Sequence, residues 1–230
     1  MSAIRADGWH RYNIWEHSAT VRDLYTRRCT LEAEEMTCHG QAVELLAPHV
    51  MPGDTLLDAG CGSGYFFHAL RRRKIAVEYH GIDATECLID IGRTHLPRHG
   101  LPSERLQVLR IEDLDAEVDH AVCINVLSNI DNFHRPFERL LKAARKTVIL
   151  RESASASASY SYVRDRFLYP GVDLGVHVNT YAIGDLVSFA QSYGFATTVI
   201  EDERTRNEAE LVIGHPHYWR FFICIRAAAA

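Results

Sequence analysis

Three glycines at alternating positions, Gly60, Gly62 and Gly64, follow the short apolar run Thr55-Leu56-Leu57-Asp58-Ala59 and lead into a helical segment from Tyr65 to Arg73. Residues without a Cβ let the chain turn sharply and let a ligand lie against the backbone. A strand, a glycine loop and a helix in this order serve more than one nucleotide-like ligand. Two details narrow the choice. Dinucleotide sites use G-x-G-x-x-G with a pyrophosphate at the helix N-terminus, whereas the spacing here is G-x-G-x-G. Asp58 also stands two residues before the first glycine. A carboxylate there repels a pyrophosphate but can orient the ammonium of a zwitterionic amino acid. The expected ligand therefore has an amino-acid end.

Such a loop must sit at the edge of a sheet, and the flanking pattern supplies one. Apolar runs at 55–59, 77–83, 106–111, 121–126 and 147–150 read as strands, with helical stretches at 65–73, 87–94 and 135–144 between them. Continuous apolar strands joined through helices predict a parallel sheet covered on both faces. Right-handed crossovers then bring the strand C-termini to one edge, where ligands bind. The first 50 or so residues read as helical, with Leu24, Leu31, Met36, Val43, Leu45 and Leu46 spaced along a face and Pro48 and Pro52-Gly53 ending it. After Arg151 the stretch Ser153 to Ser161 is rich in Ser and Ala and predicts a mobile loop. A helix at 184–193 closed by Gly194, and strands at 196–201 and 219–225, predict a C-terminal antiparallel hairpin.

The segment Leu56 to Phe66 resembles motif I of the class I S-adenosylmethionine (SAM) dependent methyltransferases, small-molecule type. The resemblance spans roughly Leu45 to Ile225 and is strongest at the glycine loop. It implies an α/β fold with a seven-stranded, mostly parallel sheet, helices on both faces, an antiparallel C-terminal hairpin and an N-terminal helical cap. It implies SAM as cofactor, with S-adenosylhomocysteine as product. Asp58, Gly60, Cys61, Gly62 and Gly64 would border the methionine portion. Asp83, at the end of the second strand, would grip the ribose hydroxyls, with Ala84 beside it. Ile111 and Glu112 fall in the adenine loop, where Arg110 stands at the usual acidic position. Asn125 falls in the segment beneath the methionine moiety. That segment lacks the NPPY-type tetrapeptide of enzymes that methylate nucleic-acid bases. Cys61 lies inside the loop and reads as packing rather than as a nucleophile.

Methyl transfer from a sulfonium needs alignment and exclusion of water more than it needs acid–base groups, so the acceptor side leaves little fixed pattern. Topology sends the long 152–182 connection to the ligand edge, carrying Tyr160, Tyr162, Arg166, Tyr169, His177, Asn179 and Tyr181. The loop with His215, Pro216, His217 and Tyr218 borders the same edge, and Trp9, Tyr12, Trp15 and His17 could cover it. Imidazole titrates near working pH, so His217, His177 and His134 are the candidate bases or acceptor contacts. One domain over 1–230 is expected, divided into a cap (1–50), a SAM-binding core (51–151), an acceptor-covering insertion (152–182) and a helix with hairpin (183–226).

The chain has 230 residues, 25 Lys plus Arg against 30 Asp plus Glu, and a formal charge of −5. That balance disfavours a long nucleic-acid footprint, and Arg71-Arg72-Arg73-Lys74 reads as the basic end of a helix. The six cysteines form no C-x-x-C pair and read as free thiols. Among thirteen histidines there is no HExxH, and a proline separates His215 from His217, so no metal is expected. Arg5 and Asp7 interrupt any leader-like stretch and no run approaches a membrane span. The expectation is a cytoplasmic enzyme with a small-molecule acceptor, without nucleic-acid or membrane partners, and of undetermined oligomeric state. A protein or RNA acceptor, or a non-catalytic binding module, is the alternative.

Overall fold

The computed structural model describes residues 7–227. Its helices are α1 (Ala19–Cys29), α2 (Thr37–Leu46), α3 (Phe66–Arg72), α4 (Glu86–His95), α5 (His134–Ala143) and α6 (Ile183–Ser192). The strands are β1 (Thr55–Ala59), β2 (Glu78–Asp83), β3 (Leu106–Val108), β4 (Val118–Ile124), β5 (Ala144–Ser155), β6 (Tyr162–Arg164), β7 (Gly175–His177), β8 (Tyr181–Ala182), β9 (Phe195–Glu201), β10 (Glu210–Val212), β11 (His215–His217) and β12 (Trp219–Arg226).

The main sheet runs β3-β2-β1-β4-β5-β12-β9, with short β8 as an eighth strand beside β5. The first five strands are mutually parallel, and β12 is antiparallel to both β5 and β9. This is the α/β architecture of the class I methyltransferases. Alternation along each strand divides the core. Leu57, Ala121, Cys123, Val148, Leu150 and Phe222 face one layer, with Phe137, Leu140 and Leu141 of α5 and Leu186 of α6. Their neighbours Leu56, Val122, Ile149 and Phe221 face the other, with Val43 and Leu46 of α2 and Phe66 and Leu70 of α3. Successive strand side chains point to opposite faces, so a strand buried on both faces reads as one apolar run.

Three expectations need correction. The N-terminal region is not one helix: α1 and α2 are separated by a turn in which Leu31 takes a φ of 64°. The third strand ends at Val108, and a 3-10 turn over Ile111–Asp113 replaces its C-terminal half. The Ser/Ala stretch is not simply a loop, because β5 continues through Ser155 and pairs with β12 and β8. Small side chains suit that position: the Ser153 hydroxyl is buried, bridging the Thr180 hydroxyl at 2.7 Å and accepting from the Tyr218 N–H at 3.1 Å. Gly194, the residue after the Tyr193 C-cap, closes α6 with a φ of 82°, the left-handed conformation common at that position.

No helix among the described residues is long and apolar enough to cross a membrane. The six cysteines are free, and all but the half-buried Cys87 are buried.

Candidate active site

The C-terminal ends of β1, β2 and β4 open into a cavity of about 790 Å³. Its first wall is the turn from β1 into α3. Gly60, Gly62 and Gly64 have φ values of 74°, 57° and 76°, the left-handed region that side chains resist. The Gly60 and Cys61 N–H groups both donate to the Ile82 carbonyl, at 2.8 and 3.0 Å, tying the turn to β2. Close neighbours also demand glycine. A Cβ on Gly60 would lie 2.3 Å from a Val126 methyl, and one on Gly62 would lie 2.2 Å from the Tyr25 ring.

Two carboxylates frame this turn. Asp58 is buried and accepts a hydrogen bond from the Tyr79 hydroxyl at 2.6 Å. Burial pushes its pKa up to about 7, against the lowering effect of that bond. A buried carboxylate with a single neutral donor gains from a cationic partner, as the ammonium of an amino acid would provide. Asp83 accepts from the Gly62 N–H at 2.7 Å and the Thr85 N–H at 2.8 Å. Burial also raises its pKa. Each carboxylate oxygen retains a further lone pair, so Asp83 holds the glycine turn and still has capacity toward the cavity it lines.

Beyond Asp83 the lining continues through Ala84, Thr85, Leu88 and Ile111. Arg110, at the position where an acidic residue was expected by resemblance, lies beside Glu112 and forms an ion pair with it at 3.1 Å. The two charges neutralise one another at the cavity edge. From the cap, Asn13 donates to the Thr85 hydroxyl at 3.0 Å, and Tyr12, Ile14 and Trp15 reach the lining. His17 instead bonds the Arg11 carbonyl and does not line the cavity. The Trp9 side chain lies outside the described residues.

Asn125 closes the floor with a φ of 60°. Its side-chain oxygen accepts from Arg151, whose guanidinium is buried, pairs with Asp202 at 2.7 Å and sits 4.4 Å from the Trp219 ring centroid. The next strand residue, Glu152, is fully buried. It accepts from the N–H groups of Val126, Leu127 and Ser128 at 2.8–2.9 Å and from the Ser128 hydroxyl at 2.7 Å. Burial raises the Glu152 pKa against these four bonds. Arg151 and Glu152 thus fix the loop after β4 from opposite faces of the sheet. Asn179 and Tyr181 brace the same loop, donating to the Ile130 and Leu127 carbonyls at 2.8 and 2.5 Å.

The far end is lined by Asn129, Ile130, Tyr162, Val176, His177, Val212, His217 and Trp219. The β6–β7 and β10–β11 ribbons carry it, since Tyr162 pairs in register with His177 and Glu210 with His217. The Tyr162 and His177 rings are 4.8 Å apart. His217 is buried, with Nδ1 3.4 Å from the His215 carbonyl, and burial lowers its pKa.

Of the residues expected from sequence, Asp58, Gly60, Cys61, Asp83, Ala84, Ile111, Glu112, Asn125, His177 and His217 line this cavity. Gly62 and Gly64 shape the turn behind it. His134 does not belong: it is exposed at the start of α5, bonded to Asn132 and stacked on Phe133 at 4.0 Å. Tyr160 is exposed, while Arg166, Tyr169 and His215 line a separate surface cavity of about 690 Å³. Residues that the sequence reading missed include His39, Arg28 and Tyr65, all lining the main cavity. His39 stacks on Tyr65 at 4.8 Å, and burial lowers its pKa to about 3. Among the described residues no cluster of three or more His, Cys, Asp or Glu could hold a metal.

Residues 57–149 match a family described as a methyltransferase domain. The magnesium protoporphyrin IX methyltransferase ChlM from Synechocystis PCC 6803, solved with bound SAM, aligns with a TM-score of 0.62 at 16% identity over 99% of this chain and 100% of that one. A SAM-dependent methyltransferase from Clostridium acetobutylicum ATCC 824 gives 0.61 at 12% identity, over 90% and 98%. DesVI from Streptomyces venezuelae gives 0.59 at 12% identity, over 91% and 98%. Curated protein sequences returned no match. The structural likenesses establish the fold, that of the class I S-adenosylmethionine-dependent methyltransferases, and the domain match places a methyltransferase domain over residues 57–149.

Proposed function

We propose that this protein transfers a methyl group from SAM to an oxygen or nitrogen atom of a small metabolite, of the sugar or natural-product kind. The observation that carries the reading is a single cavity with two chemically different ends. One end has the glycine turn, Asp58 and Asp83; the other has aromatic and aliphatic walls with His177 and His217. Its volume of about 790 Å³ suits a donor together with a compact acceptor. ChlM, among the structural neighbours, is named for a small-molecule acceptor.

The fit to the donor rests on the turn. Left-handed glycines keep side chains away from the ligand, Asp58 offers a buried carboxylate to an ammonium, and Asp83 offers lone pairs to a sugar diol. Bound SAM supplies an already activated methyl group, so the protein must align the acceptor and exclude water. Trp15 and Tyr12 from the cap, with Tyr162, Val176 and Trp219 opposite, provide the apolar enclosure. With Nδ1 turned toward the His215 carbonyl, His217 keeps Nε2 as the acceptor nitrogen. Its lowered pKa keeps the ring neutral, the form able to take a proton from a hydroxyl or amine.

Calorimetric titration with SAM and, separately, with NAD tests the donor assignment. Micromolar SAM binding is expected, weakened by about 100-fold or more in Asp83→Ala, because two hydrogen bonds to a charged group that hold the turn are lost. Binding of NAD without SAM would overturn the assignment.

A further inference from the structure

Arg28 is a cation at the cavity wall with no acidic partner among the described residues. It lies in the last turn of α1 and lines the cavity. Its Nη1 donates to the Tyr65 hydroxyl at 2.9 Å, and its guanidinium carbon sits 4.9 Å from the Tyr65 ring centroid and 5.5 Å from that of Tyr25. No carboxylate among the described residues forms an ion pair with it. The other arginine of the lining, Arg110, is paired with Glu112. A guanidinium stacked on aromatic rings is oriented without being neutralised, and its remaining N–H groups form a fork that matches a carboxylate.

The placement of Arg28 says whose carboxylate this is. Tyr65 directly follows Gly64, and the Tyr25 ring is the neighbour that a Cβ on Gly62 would strike. The next residue, Cys29, donates its thiol to the Ser63 hydroxyl at 3.1 Å. The end of α1 is therefore fastened along the glycine turn, on the wall that Asp58 also lines. An amino acid presents an ammonium and a carboxylate a few bonds apart. Asp58 answers the first charge and leaves the second without a partner.

We propose that Arg28 is the receptor for the carboxylate of the methionine moiety, so that the N-terminal helix reads the amino-acid end of the donor. This inference rests on the donor assignment made above. It makes α1 part of the donor site rather than only a cover for the acceptor. A nucleoside lacking the amino-acid end would forgo the contact.

Two probes separate the possibilities: S-adenosylhomocysteine, and 5′-methylthioadenosine, which keeps the nucleoside and thioether but lacks the amino acid. Calorimetry on wild type, Arg28→Ala and Arg28→Lys is expected to show S-adenosylhomocysteine weakened about 10- to 100-fold by the alanine, the range for a lost charge-assisted contact. Lysine, which keeps the charge without the fork, should lose less. Affinity for 5′-methylthioadenosine should stay within about twofold in all three proteins, which also reports that the variants fold. Equal loss for both probes would make Arg28 a structural residue and overturn the inference. Unchanged S-adenosylhomocysteine binding would overturn it too. If wild type bound neither probe, the donor assignment itself would fall, and this inference with it.

Discussion

Between Gly60 and Gly64 the cavity wall is shaped mainly by backbone: left-handed turns, N–H groups of Gly60 and Cys61 on the Ile82 carbonyl, and the Gly62 N–H on Asp83. Between Asn125 and Asp131 the wall is a loop held by buried side chains. Glu152 takes four hydrogen bonds from it, Arg151 holds Asn125, and Asn179 and Tyr181 brace it from the 152–182 segment. The glycine-turn end thus comes chiefly from one compact β-loop-α unit with the start of the next strand connection, along which the end of α1 is fastened. The far end draws on the N-terminal cap, the β4 loop, two separate ribbons and the start of β12. A local device can be specified by a short motif. A wall assembled from segments up to two hundred residues apart is specified by polar groups that must each find a partner after burial.

The largest effect that would sharpen this contrast is the removal of Glu152. Glu152→Ala strands three backbone N–H groups and the Ser128 hydroxyl in a fully buried site. A loss of about 3–5 kcal/mol in urea unfolding is expected, the range for stripping one partner from a buried charged network. Glu152→Gln, which keeps one carbonyl acceptor, should lose less. A loss below about 1 kcal/mol would mean that the β4 loop is held by something other than this carboxylate, and the contrast would fail.

The same contrast explains what could be read from the sequence. The glycine spacing, Asp58 and Asp83 were legible because strand, turn and helix signals stand together within thirty residues. The parallel sheet covered on both faces followed from the apolar runs, since both faces of strands such as 148–150 are buried. Arg151 and Glu152 were not legible in their roles. Their only signal was a charged pair ending an apolar strand at the ligand edge. His39, Arg28 and Tyr65 gave no local signal, since their meaning depends on how α1 and α2 dock on the glycine turn. His134 was attractive as an imidazole that titrates near working pH, but its helix turns it outward onto Phe133 and Phe189. The Ser/Ala composition of 153–161 concealed a strand because small hydroxyl side chains can satisfy one another between β8 and β12.

A second, somewhat smaller effect separates the two ends functionally. In an assay of S-adenosylhomocysteine release over a panel of phenols, sugars and amines, His217→Ala is expected to lower kcat by about 100-fold on acceptors that must lose a proton, the lower range for a general base. Affinity for S-adenosylhomocysteine should stay within about twofold, because His217 lies at the far end of the cavity. An equal fall in donor affinity would show the two ends to be one coupled unit. Unchanged kcat on every accepted substrate would remove His217 from the chemistry.

The smallest effect tests whether the donor end has a single electrostatic requirement. Burial holds the Asp58 pKa near 7 in the free protein, above its unfolded value of about 3.9. In the ligand-free fold this group contributes most below about pH 4, where it is protonated in both states, and that contribution is lost as pH rises through about 7. A bound ammonium reverses the preference, because it favours the carboxylate. Binding must then release the Asp58 proton, so affinity for S-adenosylhomocysteine should fall as pH drops below 7, approaching tenfold per unit down to about pH 5. His39, with its pKa near 3, stays neutral across that window and cannot supply the dependence. In Asp58→Asn the slope should vanish, with affinity pinned near the weak acidic limit of wild type. A wild-type profile flat from pH 5 to 7 would show that no cation faces Asp58, and the amino-acid end of the ligand would need a different home in the cavity.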